Sequence, residues 1–556
     1  MKFTRIFSIT LLVVLALALG ISVAAAQDGD VLVIGWEQEP PLLAPRSDLA
    51  FAQLMTNFFQ RDIWGFDTNN EIFPIMVAEI PSPENGMVVT LENGNTQVAY
   101  QLREGMTWSD GEPITSADCA FWHEIVMDPA KGTFQRGIYP DVVESFEVAD
   151  DFNFTITYNT PFPDYLIDST ATCAFPEHIL GPVLEAEGTI DNAPFFLGEN
   201  AIGYGPYVLS EWLVGESMTF TVNANWDGVQ PAFETVILRF VTDTAQMQNA
   251  LEVGEIDVAF NWSDDLAESY TAIENTEVFK TDGVFGDAIW MNVNNGGHPS
   301  LSDVNVRMAL IHAIDRATLA GALVGEGVLV PASWYPPTFV PEDVVPLEFD
   351  VAKANELLDA AGWVDSNESG TRDKDGVEMV LRFYTTTRQI RIDYQTAIQE
   401  YWTAVGVGAQ LIPVPATILF ADFLERGILD TGDFDVAIFA LSSNPLSPSG
   451  TAPEWFGCDG TPTAEQPNGN NGWGFCDPEY DRLDLESATT VDPAARLELA
   501  QGAIRAFYSG QFWHGLYLRP TWYAIRTDRV DPATARDLGV LSSNYFNKIE
   551  LWQPAQ

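Results

Sequence analysis

Histidine titrates near neutrality and ligates metals, so the five in this chain, His123, His178, His298, His312 and His514, bear first on chemistry. They are scattered without a shared motif, and His312 lies inside an apolar helical pattern that suits a structural role. The GxSxG serine elbow, the zinc motif HExxH, the phosphate loop and the GxGxxG dinucleotide turn are all absent from the sequence. Asp373-Lys374-Asp375-Gly376 begins like a calcium loop, yet its twelfth position falls on Tyr384 where a glutamate is required. Those four residues read instead as a hairpin turn.

The 79 aspartates and glutamates must bring some carboxylates close together, and a glycosidase would need two at a set separation in a cleft. The 16 tryptophans would suit stacking on sugar rings. No local signature supports catalysis, so the chain reads as a non-enzyme; a secreted glycoside or peptide hydrolase is the alternative from another class. Four cysteines allow three connectivities. Cys458 and Cys476 flank a Gly/Pro/Asn-rich loop that a local disulfide would staple, and Cys119 with Cys173 follows by elimination. A zinc site is the rival, but no CxxC and no histidine stands at ligand spacing, so no metal or cofactor is expected.

Disulfides imply an oxidising compartment. Lys2 and Arg5 precede an apolar run from Ile9 to Leu19, and Ala24-Ala25-Ala26 precede Gln27, the pattern of a secretory signal over 1–26. No cysteine stands at its end, so the expectation is a secreted chain in periplasmic or cell-surface space without a lipid anchor. The following 530 residues exceed what one core fills and imply two or three lobes. Hydrophobic residues at 46% and aromatics at 12% exclude a largely disordered chain. Net charge is −53, or −55 once Lys2 and Arg5 leave, which argues against nucleic acid and anionic membranes as partners. Solubility is the plain explanation of that charge, and attraction of a cationic ligand the sharper one.

Short apolar strands alternate with amphipathic helices, which is an α/β pattern. VLVIG at 31–35 is a strand of buried type, 98–103 alternates as a strand, and 142–148 and 153–158 read as a pair. Thr115 with Asp118 three residues on approximates a capping box for a helix over 116–127. One long helix is expected over 303–324, and another from Asp350 to a C-cap at Gly362. A strand at 378–384, a helix at 391–404 and a strand at 407–414 make a right-handed crossover unit. A buried strand at 433–440 and a helix at 492–508 complete the reading.

Six segments together resemble the family 5 extracellular solute-binding proteins, the group of dipeptide- and oligopeptide-binding proteins. They are YQLREGMTWSDGEPITSADCAFWHEIVMDP (100–129), AIGYGPYVLSEW (201–212), GEIDVA (254–259), DVNVRMALIHAIDRATLAGALVGEG (303–327), FDVAKANELLDAAGW (349–363) and CDPEYDRLDLESATTVDPAARLELAQGA (476–503). They follow in the family's order and cover nearly the whole chain. The resemblance implies a type II periplasmic-binding fold, two main domains plus an inserted lobe with the ligand cleft between them. A discontinuous first lobe would comprise 27–60, 200–293 and 520–556, the inserted lobe 61–199 and the second main domain 294–519.

The family's ligand-contacting segments fall here on Trp36, Glu37 and Gln38 after the first strand, on Phe134, Arg136 and Tyr139 in the inserted lobe, and on Asn261 and Trp262 after GEIDVA. Ordinary packing is the alternative for each aromatic. Peptide-binding relatives place an aspartate after the strand at 433–440 to pair with the peptide ammonium. Here the turn reads Leu441-Ser442-Ser443-Asn444-Pro445, with the amide of Asn444 where the acid is expected and Leu441 and Ser443 beside it. Either Glu37 or another nearby acid supplies the counter-charge that a buried ammonium needs, or the ligand lacks a free amine. Arg388 and Arg391 lie near the position where dipeptide binders hold the peptide carboxylate, a role suited to a bidentate guanidinium; a surface salt bridge is the alternative.

The function implied is that of the substrate-binding component of an ABC importer. A monomeric clamp would capture an extracellular peptide or small polar solute and deliver it to membrane permease subunits. An oligosaccharide is the alternative ligand within the family, favoured by the tryptophans and the neutral Asn444. Nickel or haem lacks histidine clusters in its favour.

Overall fold

The computed structural model describes residues 31–556 except 41, 44–49, 68–70, 129, 133–138, 168–171, 199–200, 261–266, 422, 445, 449–452, 465–468, 537–545 and 547. The expected signal segment lies outside the described residues. Among them, no helix is long and apolar enough to cross a membrane.

Ten described strands form one mixed sheet: β1 (Val31–Trp36), β2 (Tyr207–Leu213), β3 (Ser217–Val222), β4 (Thr235–Phe240), β5 (Val258–Phe260), β6 (Thr276–Met291), β7 (Val380–Thr386), β8 (Gly408–Val414), β9 (Val436–Ser442) and β10 (Trp513–Arg526). Their spatial order is β8-β7-β9-β6-β10-β5-β1-β4-β3-β2. At one end β1 runs parallel to β4 and β5; at the other, β7 runs parallel to β8 and β9. Between the two groups stand β6 and β10, antiparallel and 16 and 14 residues long. Their register slips between Asp282 and Gly286 and again between Asp287 and Ala288. Such irregularities bend a strand pair, so the link between the two halves is a two-stranded ribbon with its break in the middle.

Burial explains the sequence patterns. Leu32, Ile34 and Trp36 pack on one face of the sheet and Val33 on the other, which is why β1 is apolar throughout. A separate core between residues 288 and 517 contains Trp290, Trp402, Trp473 and Phe456. Another, between 63 and 226, fills a lobe with its own antiparallel sheet of Val88–Thr90, Thr96–Gln101, Asn153–Tyr158 and Val143–Val148. Thirteen of the fifteen described tryptophans are buried, so their abundance serves these cores rather than a sugar-stacking surface.

Local signals act where the residue types require. The Thr115 hydroxyl and the Asp118 carboxylate cap the helix Ser116–Met127 reciprocally. Asp373–Lys374 pairs with Val377–Glu378 around Asp375 and Gly376, both at positive φ, as a two-residue hairpin needs. β7, the helix α1 (Gln389–Thr403) and β8 form the parallel crossover. In the GYGPY segment a Cβ on Gly203 or Gly205 would overlap the backbone of Phe59, so these glycines allow close chain approach. The single helix expected over 303–324 is two, Val304–His312 and Arg316–Leu323. Asp315 breaks the run because its carboxylate accepts the Thr318 N–H and starts a new helix.

Both disulfides, Cys119–Cys173 and Cys458–Cys476, are formed. They close loops of 54 and 18 residues, and loop-closure entropy gives each roughly 3–4 kcal/mol against the unfolded chain.

Candidate functional site

In parallel α/β sheets ligands collect beyond the carboxyl ends of the strands. Here two sets of such ends face one another. In the first half β1 and β5 end side by side at Trp36 and Phe260, and Phe260 stands opposite Tyr523, which stands opposite Phe279 of β6. In the second half β9 ends at Ser442, opposite Phe285 of the same strand. Because β9 runs antiparallel to β6, its end points back toward the first half. The six steps of β6 from Phe279 to Phe285 separate the two sets, about 20 Å of extended chain.

The second half supplies a buried ionic cluster at this place. Asp287 of β6 is fully buried; its Oδ1 accepts from Arg391 Nε at 2.7 Å and its Oδ2 from Arg519 Nε at 2.7 Å. Thr386, the last residue of β7, orders the arrangement: its hydroxyl accepts from Arg391 at 3.0 Å. Arg388, half-buried between β7 and α1, adds its positive field. Burial is the strongest influence on Asp287 and opposes its ionisation, but Arg519, Arg391 and Arg388 together hold its carboxyl well below the usual range. Three guanidiniums therefore surround one carboxylate, a formal charge of +2 (three minus one) for these four side chains. In a chain of net −53 with 26 basic residues, three of them gather at one carboxylate by the strand ends. Arg391 is thus no surface salt bridge but one arm of a buried pair.

The remaining expected residues are distributed as follows. Trp36 is fully buried, tilted against Phe260 at 4.7 Å and near Phe58 and Phe546, a core environment. Glu37 is half-buried and Gln38 exposed, just past the end of β1. Burial raises the Tyr270 hydroxyl's pKa, and the negative field of Glu37 adds to the effect, which places that carboxylate nearby. Tyr139 is buried in the inserted lobe, its hydroxyl 2.7 Å from His123 Nδ1. Phe134, Arg136, Asn261 and Trp262 lie outside the described residues.

Beyond β9, Leu441, Ser443 and Asn444 are half-buried, and Leu441 is registered against Gly286. Asn444 acts locally, where its Oδ1 accepts the Leu446 N–H at 3.0 Å and closes an Asx turn. Three residues on, Ser447 donates to the carboxylate of Asp164 in the inserted lobe at 3.0 Å. The carboxylate bonded to this turn therefore comes from another lobe.

Sequence reasoning missed Asp287, Arg519, Thr386 and Asp164. Only Asp287 carries a local signal, a lone acid in the apolar run GVFGDAIWM. Arg519 and Asp164 gain meaning only from partners far away in the sequence, such as the 232 residues between Asp287 and Arg519, and Thr386 only through Arg391, five residues on. The aspartate of GEIDVA is structural: buried Asp257 accepts from Val33 N at 2.9 Å and Arg529 Nε at 3.0 Å. Among the described residues no cluster of histidine, cysteine and acids could hold a metal ion. A cavity of about 270 Å³ between Ile75, Arg103, Trp226 and Lys548 lies apart from the strand ends. Ion pairs line it, Arg61 with Glu550 and Arg103 with Asp227, which suits a structural seam.

Comparison with known proteins bears on this geometry. Residues 85–463 match the profile of the bacterial extracellular solute-binding proteins, family 5 (middle region). The oligopeptide-binding protein AppA of Bacillus subtilis is 25% identical over 441 residues, 76% of this chain and 75% of that one. The structure of AppA in complex with a nonapeptide superposes with a TM-score of 0.72 at 19% identity, covering 95% of this chain and 99% of that one. NikZ from Campylobacter jejuni, in complex with Ni(L-His), gives a TM-score of 0.74 at 22% identity, covering 95% and 100%.

Proposed function

The chain belongs to the bacterial extracellular solute-binding proteins of family 5, binding proteins of ABC importers rather than enzymes, and on that premise we propose that it captures a peptide or peptide-like solute by closing its lobes. The observation that carries this reading is the pair of facing strand ends, with the cluster of Arg388, Arg391, Arg519 and Asp287 at the second of them. A bound solute lies across the ribbon of β6 and β10, with a carboxylate toward Arg388 and its polar backbone toward the turn at Leu441, Ser443 and Asn444. Glu37, on the opposite rim, offers negative charge to an ammonium group. Closure then presents both lobes to permease subunits, so capture and delivery share one equilibrium. The mature chain acts outside the cytoplasm as a monomer, with lobe boundaries near residues 60, 200, 293 and 520.

A second reading has a specific observation in its favour: guanidiniums that suit a peptide carboxylate also suit the carboxylates of a metal chelate. The NikZ complex with Ni(L-His) shows that the fold accepts such a ligand. The sugar reading loses the support of the tryptophans, since thirteen of the fifteen described are buried, and keeps only the neutral Asn444.

A thermal-shift screen with pools of free-termini peptides, C-terminally amidated peptides, metal–histidine chelates and oligosaccharides separates the readings, since a ligand of the native state raises stability. Free-termini peptides are expected to stabilise the protein, and amidation or Arg388→Gln to weaken binding by about tenfold. Stabilisation by sugars alone, or indifference to both changes, contradicts the proposed site.

A further inference from the structure

We propose that Asp164 of the inserted lobe is a positioning residue for the ligand-facing turn of the second main domain, joined to it only when the clamp is shut. This deepens the clamp reading and rests on it. Asp164 follows the strand Asn153–Tyr158, in a segment anchored by buried Phe162, whose N–H is accepted by Thr96 Oγ1 at 2.9 Å and whose ring stacks on Tyr158 at 4.5 Å. The Oδ2 atom of Asp164 accepts from Ser447 Oγ at 3.0 Å and from Arg496 Nη2 at 2.5 Å. Arg496 also donates to Ser447 Oγ at 3.1 Å and to the Ser487 carbonyl at 3.2 Å. Ser447 and Arg496 are only 4% and 7% exposed.

The three residues come from separate parts of the chain: Asp164 from the inserted lobe, Ser447 from the turn after β9, and Arg496 from the helix α2 (Pro493–Ser509). Arg496 is fixed in its own domain by α2, so Asp164 is the member that arrives on closure and departs on opening. When it leaves, a carboxylate and a guanidinium lose their partner, and the turn bearing Leu441, Ser443 and Asn444 loses one of its anchors at Ser447. A desolvated pair of this kind acts on dissociation more than on association, because it forms after encounter. The inserted lobe thereby holds the turn in its binding conformation without touching the solute.

The test uses the full mature chain with spin labels at exposed positions of the two lobes (Glu185→Cys and Glu498→Cys), and two probes, a pool of pentapeptides with free termini and the nickel–histidine complex. Wild type is expected to shorten its inter-label distance with at least one probe. Asp164→Asn, and more mildly Ser447→Ala, are expected to populate longer distances. Each should speed dissociation of that probe, by about tenfold for Asp164→Asn, with the association rate nearly unchanged. The exchanged pair Asp164→Arg with Arg496→Asp should recover part of both effects. A responsive wild type whose Asp164→Asn and Ser447→Ala variants match it in distance and dissociation rate overturns the inference while leaving the clamp standing. A wild type that neither retains nor moves with either probe overturns the clamp itself.

Discussion

A carboxylate that is fully buried yet ionised must be held by its neighbours, and Asp287 is held by Arg391 and Arg519. Removing one partner of a buried ion pair strands the others, so Asp287→Asn is expected to cost about 3–5 kcal/mol at neutral pH, read as a fall in the unfolding midpoint. The sign of the pH dependence follows from the direction of the shift. A carboxyl whose folded pKa lies below its unfolded value, about 3.9, stabilises the fold above that value. It gives this up as pH falls toward the folded pKa. The gap between wild type and Asp287→Asn should therefore stay constant from pH 7 to about 5 and narrow below about 4; a gap that widens on acidification contradicts the assignment. Asn444 makes a different prediction. Its Oδ1 accepts the Leu446 N–H, a bond that a carboxylate oxygen can also accept. Asn444→Asp should keep the turn and strengthen binding of peptides with free N-termini by several-fold in titration calorimetry. An unchanged or weaker affinity argues that the ammonium lies elsewhere.

At the scale of elements, what the sequence states locally, the fold obeys. The Thr115 and Asp118 box, the Asp375-Gly376 hairpin and the crossover of β7, α1 and β8 all depend on residues within a few positions or on one apolar period. Reading one helix over 303–324 fails because apolar periodicity continues across the break, while the deciding signal is a single cap, Asp315. Asp315→Ala is expected to destabilise the second main domain by about 1 kcal/mol in urea unfolding, and no change would make the break a matter of packing alone. The candidate site was less legible than the elements. Arg388 and Arg391 could be flagged from the strand end they follow, but Asp287 and Arg519 meet only because β6 and β10 pair as a long ribbon. The tryptophans misled because composition reports how many aromatic rings exist and not which way they face.

For the whole molecule, two features dominate: a large negative charge and two sheet halves joined by one ribbon. Self-repulsion of the −53 charge opposes compaction, and salt screens it within about 8–10 Å at moderate ionic strength. The unfolding midpoint should rise by several degrees between about 0.05 and 0.5 M sodium chloride, whereas a fall would mean that attractive pairs outweigh the repulsion. The facing strand ends stand six residues apart along β6, about 20 Å of extended chain, and the proposed solute spans that distance. The most direct measurement is native mass spectrometry of the mature chain incubated with the peptide and chelate pools, followed by denaturation and identification of what is released. Retention of an intact peptide or carboxylate-bearing chelate, lost or sharply reduced in Arg388→Gln, is the expected result. Release of a chemically altered product, or no retention from any pool, would contradict the clamp.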